Sequence, residues 1–149
     1  MCIRDSFQGL PHRMQFVASV DGVDYYNDSI STIPQATIEA IRSIPNVKSV
    51  LIGGMDRHIN YDVLLEFIIN HPEYTYIFSY ESGRRIYEEV SGLPCCHYRS
   101  TLAEAVALAK SVTPKGGACL FSPAAASYGY FKNFEERGEV YAGLVRGGA

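Results

Sequence analysis

Three short segments concentrate the residue types that hold anions or orient carboxylates. The first is Asn27-Asp28-Ser29-Ile30-Ser31-Thr32, which runs from an apolar stretch into the start of a helical pattern. Backbone N–H groups at a helix start favour anions, and the hydroxyls here can donate to a carboxylate or phosphate. Asp28, Ser29 and Thr32 are equally good helix caps, so the segment carries two readings, capping alone or an anion site. The second is Gly53-Gly54-Met55-Asp56-Arg57-His58, where glycines let a ligand approach the backbone and Arg57 offers a bidentate carboxylate clamp. A strand-to-helix turn also needs glycine for conformational reasons alone. The run matches neither a Walker A loop nor G-x-G-x-x-G. The third runs from Ser122-Pro123-Ala124-Ala125-Ala126-Ser127 through Phe134-Glu135-Glu136-Arg137-Gly138. Its small residues permit close approach, Ser127 and Lys132 offer polar contacts, and Phe134 offers its backbone N–H; the aromatics are read as core.

Other chemistries find no support. His12, His58, His71 and His97 lack metal-ligand spacing, so no metal site is expected from this chain. No G-x-S-x-G nucleophile motif occurs, and no residue is assigned as catalytic. Glu135-Glu136 is read as a solvated face favoured by a helix dipole.

Those segments need elements to position them, and strand and helix signals alternate along the chain. Met14 to Val20 and Val23 to Asn27 read as strands around the hairpin turn Asp21-Gly22. Residues 34–44 read as a helix with Thr32 as its cap and Pro34 in its first turn. Then follow strand 47–52, helix 61–70, strand 74–78, helix 83–90, strand 95–98, helix 101–112 and strand 118–121. A closing helix over about 130–146 is expected to be interrupted near Gly138. This alternation predicts an α/β fold: a Rossmann-like, mainly parallel sheet with helices on both faces and an N-terminal β-hairpin. In such a sheet the crevice lies beyond the carboxyl ends of the strands, where all three segments fall.

Composition narrows the class. With 149 residues, 47% hydrophobic and 19% charged, the chain suits one globular domain with no linker. A net charge of -3 with only 13 Lys+Arg argues against a nucleic-acid binder. No run approaches the roughly 18 apolar residues of a membrane span, and Met1 to Ser6 is not a secretory signal, so a cytoplasmic protein with no membrane partner is expected. Cys95, Cys96 and Cys119 lie in apolar runs and read as reduced core residues.

Taken in order, four motifs resemble one family. Phe7-Gln8-Gly9-Leu10-Pro11-His12-Arg13, Asn27-Asp28-Ser29, the Gly53-Gly54 loop and the Ser122 to Gly138 block are similar in order and spacing to the C-terminal domain of the Mur ligases, in their D-glutamate-adding branch. The resemblance covers Phe7 to Val145, so residues 7–149 are read as the glutamate-binding C-terminal domain and residues 1–6 as a non-family extension. It implies an ATP-dependent amide-forming enzyme of peptidoglycan synthesis. The family activates the alanyl carboxylate of UDP-N-acetylmuramoyl-L-alanine as an acyl phosphate, which the glutamate amine attacks with release of phosphate. By position, His12, Arg13 and Asp28 match nucleotide-binding residues; Thr32, Arg57, Ser127, Tyr128 and Phe134 match residues that hold glutamate.

Two departures and one omission accompany the match. Arg57 stands where a Lys is often found, and Ile30 replaces the Lys of D-S-K-A-T-N. An L-glutamate-adding sister ligase is the alternative within the family. The UDP-binding domain and the central ATPase domain, which would bind most of the ATP and Mg, are not among these residues. This chain is therefore expected to be inactive alone and to dock on the central domain of its full-length protein. A free-standing, non-catalytic α/β binding module is the alternative from another class. Another member of the Mur and folylpolyglutamate ligase group is disfavoured by the Gly9 to Arg13 and Phe131 to Gly138 motifs.

Overall fold

The computed structural model describes residues 13–127 and 129–147. The expectations for residues 1–6, for the Phe7 to His12 motif and for Tyr128 lie outside the described residues. In chain order the elements are β1 (Gln15–Val20), β2 (Val23–Asn27), α1 (Pro34–Ser43), β3 (Val47–Ile52), α2 (Asp62–Asn70), β4 (Thr75–Phe78), α3 (Tyr80–Val90), β5 (Cys96–Tyr98), α4 (Leu102–Val112), β6 (Ala118–Phe121) and α5 (Phe134–Gly147). They build a six-stranded sheet of order β1-β2-β6-β3-β4-β5, parallel except for the β1–β2 pair.

Alternation along the strands sorts the core into two layers, because successive side chains leave a strand on opposite faces. Tyr26, Val50, Ile52, Tyr76, Phe78 and Leu120 pack under α1, α2 and α3. Tyr25, Leu51, Ile77, Cys119 and Phe121 pack under α4 and α5. Helices therefore cover both faces, as the β-α alternation predicts. Cys119 and Cys96 are buried and Cys95 is half-buried, all three free thiols. Burial pushes Cys119 up to about 11 and Cys96 up to about 12.

The hairpin turn has Asp21 and Gly22 both at positive φ, 53° and 83°, the twist that suits a two-residue hairpin. Because β1 runs antiparallel to β2, Gln15 pairs with Asn27, and the residues just before β1 are delivered to the carboxyl end of β2. The parallel pairs end in step: Asn27 and Leu51 both face Phe121, and Ile52 faces Phe78. The loops after β2, β3 and β6 consequently leave from one edge, where the strand order doubles back.

Three local expectations are corrected. Helix α1 is capped by Ile33 without a side-chain hydrogen bond, with Pro34 at its start, so Thr32 is not the cap. Helix α3 begins at Tyr80, not at Gly83, which lies within its first turn. There a Cβ would sit 3.0 Å from the Ile52 carbonyl, so glycine serves close helix–sheet packing rather than a helix start. Helix α5 is continuous through Gly138, which is buried on the same side as Tyr141 and Val145. Tertiary burial of that face offsets the roughly 1 kcal/mol helix penalty of glycine.

Candidate functional site

Asp28 is the centre of the first loop. Its backbone N–H donates to the Phe121 carbonyl at 2.8 Å, extending the β2–β6 ladder by one bond. The carboxylate is 3% exposed yet well served: Oδ1 accepts from the Met14 N–H at 3.0 Å, and Oδ2 from the hydroxyls of Ser122 at 2.8 Å and Ser31. Ser122 also bonds the Thr37 hydroxyl at 3.0 Å, tying α1 to the end of β6. Burial pushes the Asp28 carboxyl above its usual range, against the lowering effect of these hydrogen bonds and of the Arg13 charge. Asp28 and Ser29 are thus not helix caps, and the capping reading of this segment fails. Ser29 instead donates its N–H to Asn27 Oδ1 at 3.0 Å and its hydroxyl to the Phe134 carbonyl at 2.7 Å.

Beside Asp28 lies a cavity of about 240 Å³, with Arg13, Ser31, Thr32, Ile30 and Ile33 among its walls. Arg13 and Asp28, paired in the sequence reading, meet here; Thr32 shares this cavity with them rather than with Arg57 or Ser127. Oδ1 of Asp28 retains a lone pair for a ligand hydroxyl, and exposed Arg13 supplies a cation. Small-molecule pockets usually span about 300–1,000 Å³, so this cavity by itself is smaller than a typical small-molecule site.

The glycine loop behaves differently from its ligand-approach reading. Gly53 N–H donates to the Pro123 carbonyl at 2.9 Å, Gly54 N–H to Ser82 Oγ at 2.8 Å and Met55 N–H to the Ala126 carbonyl at 2.9 Å. These amides are spent on neighbouring backbone and helix α3. Gly53 has φ 131°, and a Cβ there would stand 1.9 Å from the Ser79 carbonyl. Conformation and close packing therefore require the glycine. The Met55–Ala126 bridge lays this loop against the Ser122 to Ser127 segment, bringing Arg57 and Ser127 into adjacent loops. Arg85 grips Asp56 with two bonds of 2.8 and 2.9 Å and the Ile59 carbonyl at 3.0 Å, so exposed Arg57 projects from an anchored turn. The Arg85 fork holds the Asp56 carboxyl below its usual range.

Ser127 is buried at 4% exposure, and its carbonyl accepts the Phe131 N–H at 3.0 Å. Phe134 opens α5, where Asn133 Oδ1 accepts the Glu136 N–H at 2.8 Å. Glu135 and Glu136 are exposed in that first turn, as expected. No cluster of three or more metal-ligating side chains occurs among the described residues. No helix among them is long and apolar enough to cross a membrane.

Sequence reasoning missed the partners of Asp28 and one buried cation, Arg137. Ser122 carries no signal, since it meets Asp28 only where β2 and β6 pair, 94 residues apart in sequence. Arg137 did carry one: it lies at i−4 and i−8 from Tyr141 and Val145, on the apolar face of α5.

The α/β fold, with its β2, β3 and β6 loops converging on one edge, is like that of a solved Mur ligase. The MurF ligase of Thermotoga maritima, in complex with ADP, superposes over 97% of this chain and 33% of its own with a TM-score of 0.60 at 17% identity, a likeness of fold. The chain matches the C-terminal domain of MurD. It is 36% identical to a UDP-N-acetylmuramoylalanine–D-glutamate ligase of Geobacter sp. M21, covering 96% of this chain and 31% of that protein. It is 42% identical to a UDP-N-acetylmuramoyl-L-alanine–L-glutamate ligase of Salinispora tropica, covering 94% and 32%. The chain thus spans about a third of the length of these relatives. No protein-family model matches it.

Proposed function

We propose that this chain is the substrate-positioning C-terminal domain of a cytoplasmic, ATP-dependent ligase that adds D-glutamate to UDP-N-acetylmuramoyl-L-alanine in peptidoglycan synthesis. The observation that carries the reading is the match over 96% of the chain to a D-glutamate ligase, combined with the loops that bring Asp28, Arg57, Ser127 and Phe134 to one sheet edge. ATP, when bound, supplies the phosphoryl group that activates the alanyl carboxylate. Arg13 and Asp28 would hold part of that nucleotide, Asp28 accepting a ribose hydroxyl on Oδ1 and Arg13 facing phosphate. His12 is assigned to the same nucleotide by its place in the motif.

Arg57, Ser127, Tyr128 and the Phe134 N–H, with Thr32 reaching from the cavity it shares with Arg13 and Asp28, would hold the carboxylates of glutamate and leave its amine free and aimed, which converts a bimolecular attack into an oriented one. Mg and the remainder of ATP would be bound by the central domain, on which this domain docks. The partly formed cavity beside Asp28 supports that incompleteness. An L-glutamate ligase is the second reading, favoured by the 42% identity to the Salinispora protein.

The test is phosphate release by the full-length ligase with UDP-N-acetylmuramoyl-L-alanine, ATP and either isomer of glutamate. Turnover with D-glutamate is expected, reduced ~100-fold or more by Arg13→Ala and by Ser127→Ala. Turnover with the L isomer alone establishes the sister activity. Near-normal turnover in both variants overturns the site assignment.

A further inference from the structure

Arg137 is the largest fully buried side chain among the described residues, at 1% exposure, and no carboxylate pairs with it. It lies in the first turn of α5, where the helix dipole disfavours a cation. Its Nε donates to Ser29 Oγ at 3.1 Å and its Nη2 to the Ser29 carbonyl at 2.7 Å, while the buried Nη1 has no partner. A Cβ on Gly54 would stand 2.9 Å from that Nη1, 2.7 Å from the Ala126 carbonyl and 3.2 Å from Ala125 Cβ. Burial lowers the guanidinium only to about 10, so it stays charged at neutral pH.

An unpaired charge so deeply placed is costly, and an apolar side chain bridging the same loops would avoid that cost. What the guanidinium touches is informative. Its partner Ser29 is three residues from Thr32, and Gly54, whose Cβ position Nη1 faces, is three from Arg57. Phe134 is one helical turn before Arg137 and joined to it through Ser29. Besides the Phe121 ring 6.0 Å away, the guanidinium thus meets Ser29 and faces the Gly54 Cβ position, and its unpaired nitrogen turns toward the seam of the β3 and β6 loops.

We propose that Arg137 is a positioning residue for the acceptor amino acid: from behind the loops its uncompensated charge selects a ligand bearing a second carboxylate. The inference rests on the glutamate-ligase reading above. A charge held in the low-dielectric interior acts through several ångströms of protein without touching the ligand. It therefore distinguishes glutamate from glutamine, which has the same shape and one negative charge fewer.

The test is the ratio of kcat/KM for glutamate to that for glutamine in the full-length ligase, because the ratio cancels the fraction of enzyme that is folded. Arg137→Met should lower the ratio at least tenfold, about 1.4 kcal/mol. Arg137→Gln, which keeps a donor for Ser29, should lower it equally and guards against a Met variant that fails to fold. Arg137→Lys should restore it to within about threefold of wild type, a tolerance below 1 kcal/mol. A purely structural role lowers both kcat/KM values together. An unchanged ratio in Arg137→Gln therefore overturns the proposal and leaves the ligase reading standing. A wild-type ligase with no preference for glutamate over glutamine overturns both.

Discussion

Asp28 shows how a buried carboxylate can be both costly and retained. Met14, Ser31 and Ser122 satisfy it, yet removal from water still dominates and raises its pKa. A group whose native pKa lies above its unfolded value stabilises the fold most below the unfolded value, and that contribution is lost as pH rises through the native pKa. The stability of wild type minus that of Asp28→Asn should therefore be greatest below about pH 4 and shrink toward pH 7. Urea unfolding of both proteins at the two pH values measures it; a difference that grows with pH would mean that hydrogen bonding outweighs burial at Asp28.

The short spacing from Asp28 to Thr32 showed in the sequence that this loop was polar and entered a helix. It did not show that Ile33 would start the helix, because capping and tertiary bonding compete for the same side chains. The hydroxyls of Ser31 and Ser29 found carboxylate and carbonyl partners within the loop and across the sheet edge. Such partners satisfy more buried groups than a cap would.

The turns after β3 and β4 are locked together by backbone. Ser79 N–H donates to the Ile52 carbonyl at 2.9 Å, while the Ser79 carbonyl occupies the space that a side chain at Gly53 would need. Gly53→Ala should combine backbone strain at φ 131° with that clash and destabilise by about 3 kcal/mol, lowering Tm by roughly 10 °C. Thermal unfolding checks this, and a shift under about 2 °C would show that the turn relaxes freely. The dipeptide Gly53-Gly54 was visible as a turn in the sequence; its purpose was not, since clash with a residue 26 positions away has no local signature. The reverse held for α5, where Gly138 reads locally as a break and burial of the helix against β1 and β2 overrules it.

Two buried layers share the central sheet, and thiol chemistry reports their integrity. Cys119 on one layer and Cys96 on the other are held as neutral thiols by burial, pushed up to about 11 and about 12. Since the thiolate is the nucleophile, neither should react with iodoacetamide at pH 8 in the native protein, and both should in urea. Peptide mapping after timed alkylation gives the readout, and rapid native modification of Cys119 would show that the α4–α5 layer opens.

The order of the elements, the two-faced sheet and the edge bearing the candidate residues could all be read from the chain. Apolar periodicity reports which face of an element is buried, and β-α alternation constrains how parallel strands connect. That the antiparallel hairpin brings Arg13 beside Asp28 was implied by the resemblance to the Mur ligases and not by the hairpin signal alone. Which polar groups are engaged was decided by tertiary structure: Asp28 by Ser122, 94 residues away, and Arg137 by Ser29, 108 residues away. Periodicity carries burial but not partners, because a parallel sheet joins strands far apart in sequence and a buried polar group takes whichever partner its neighbouring strand supplies.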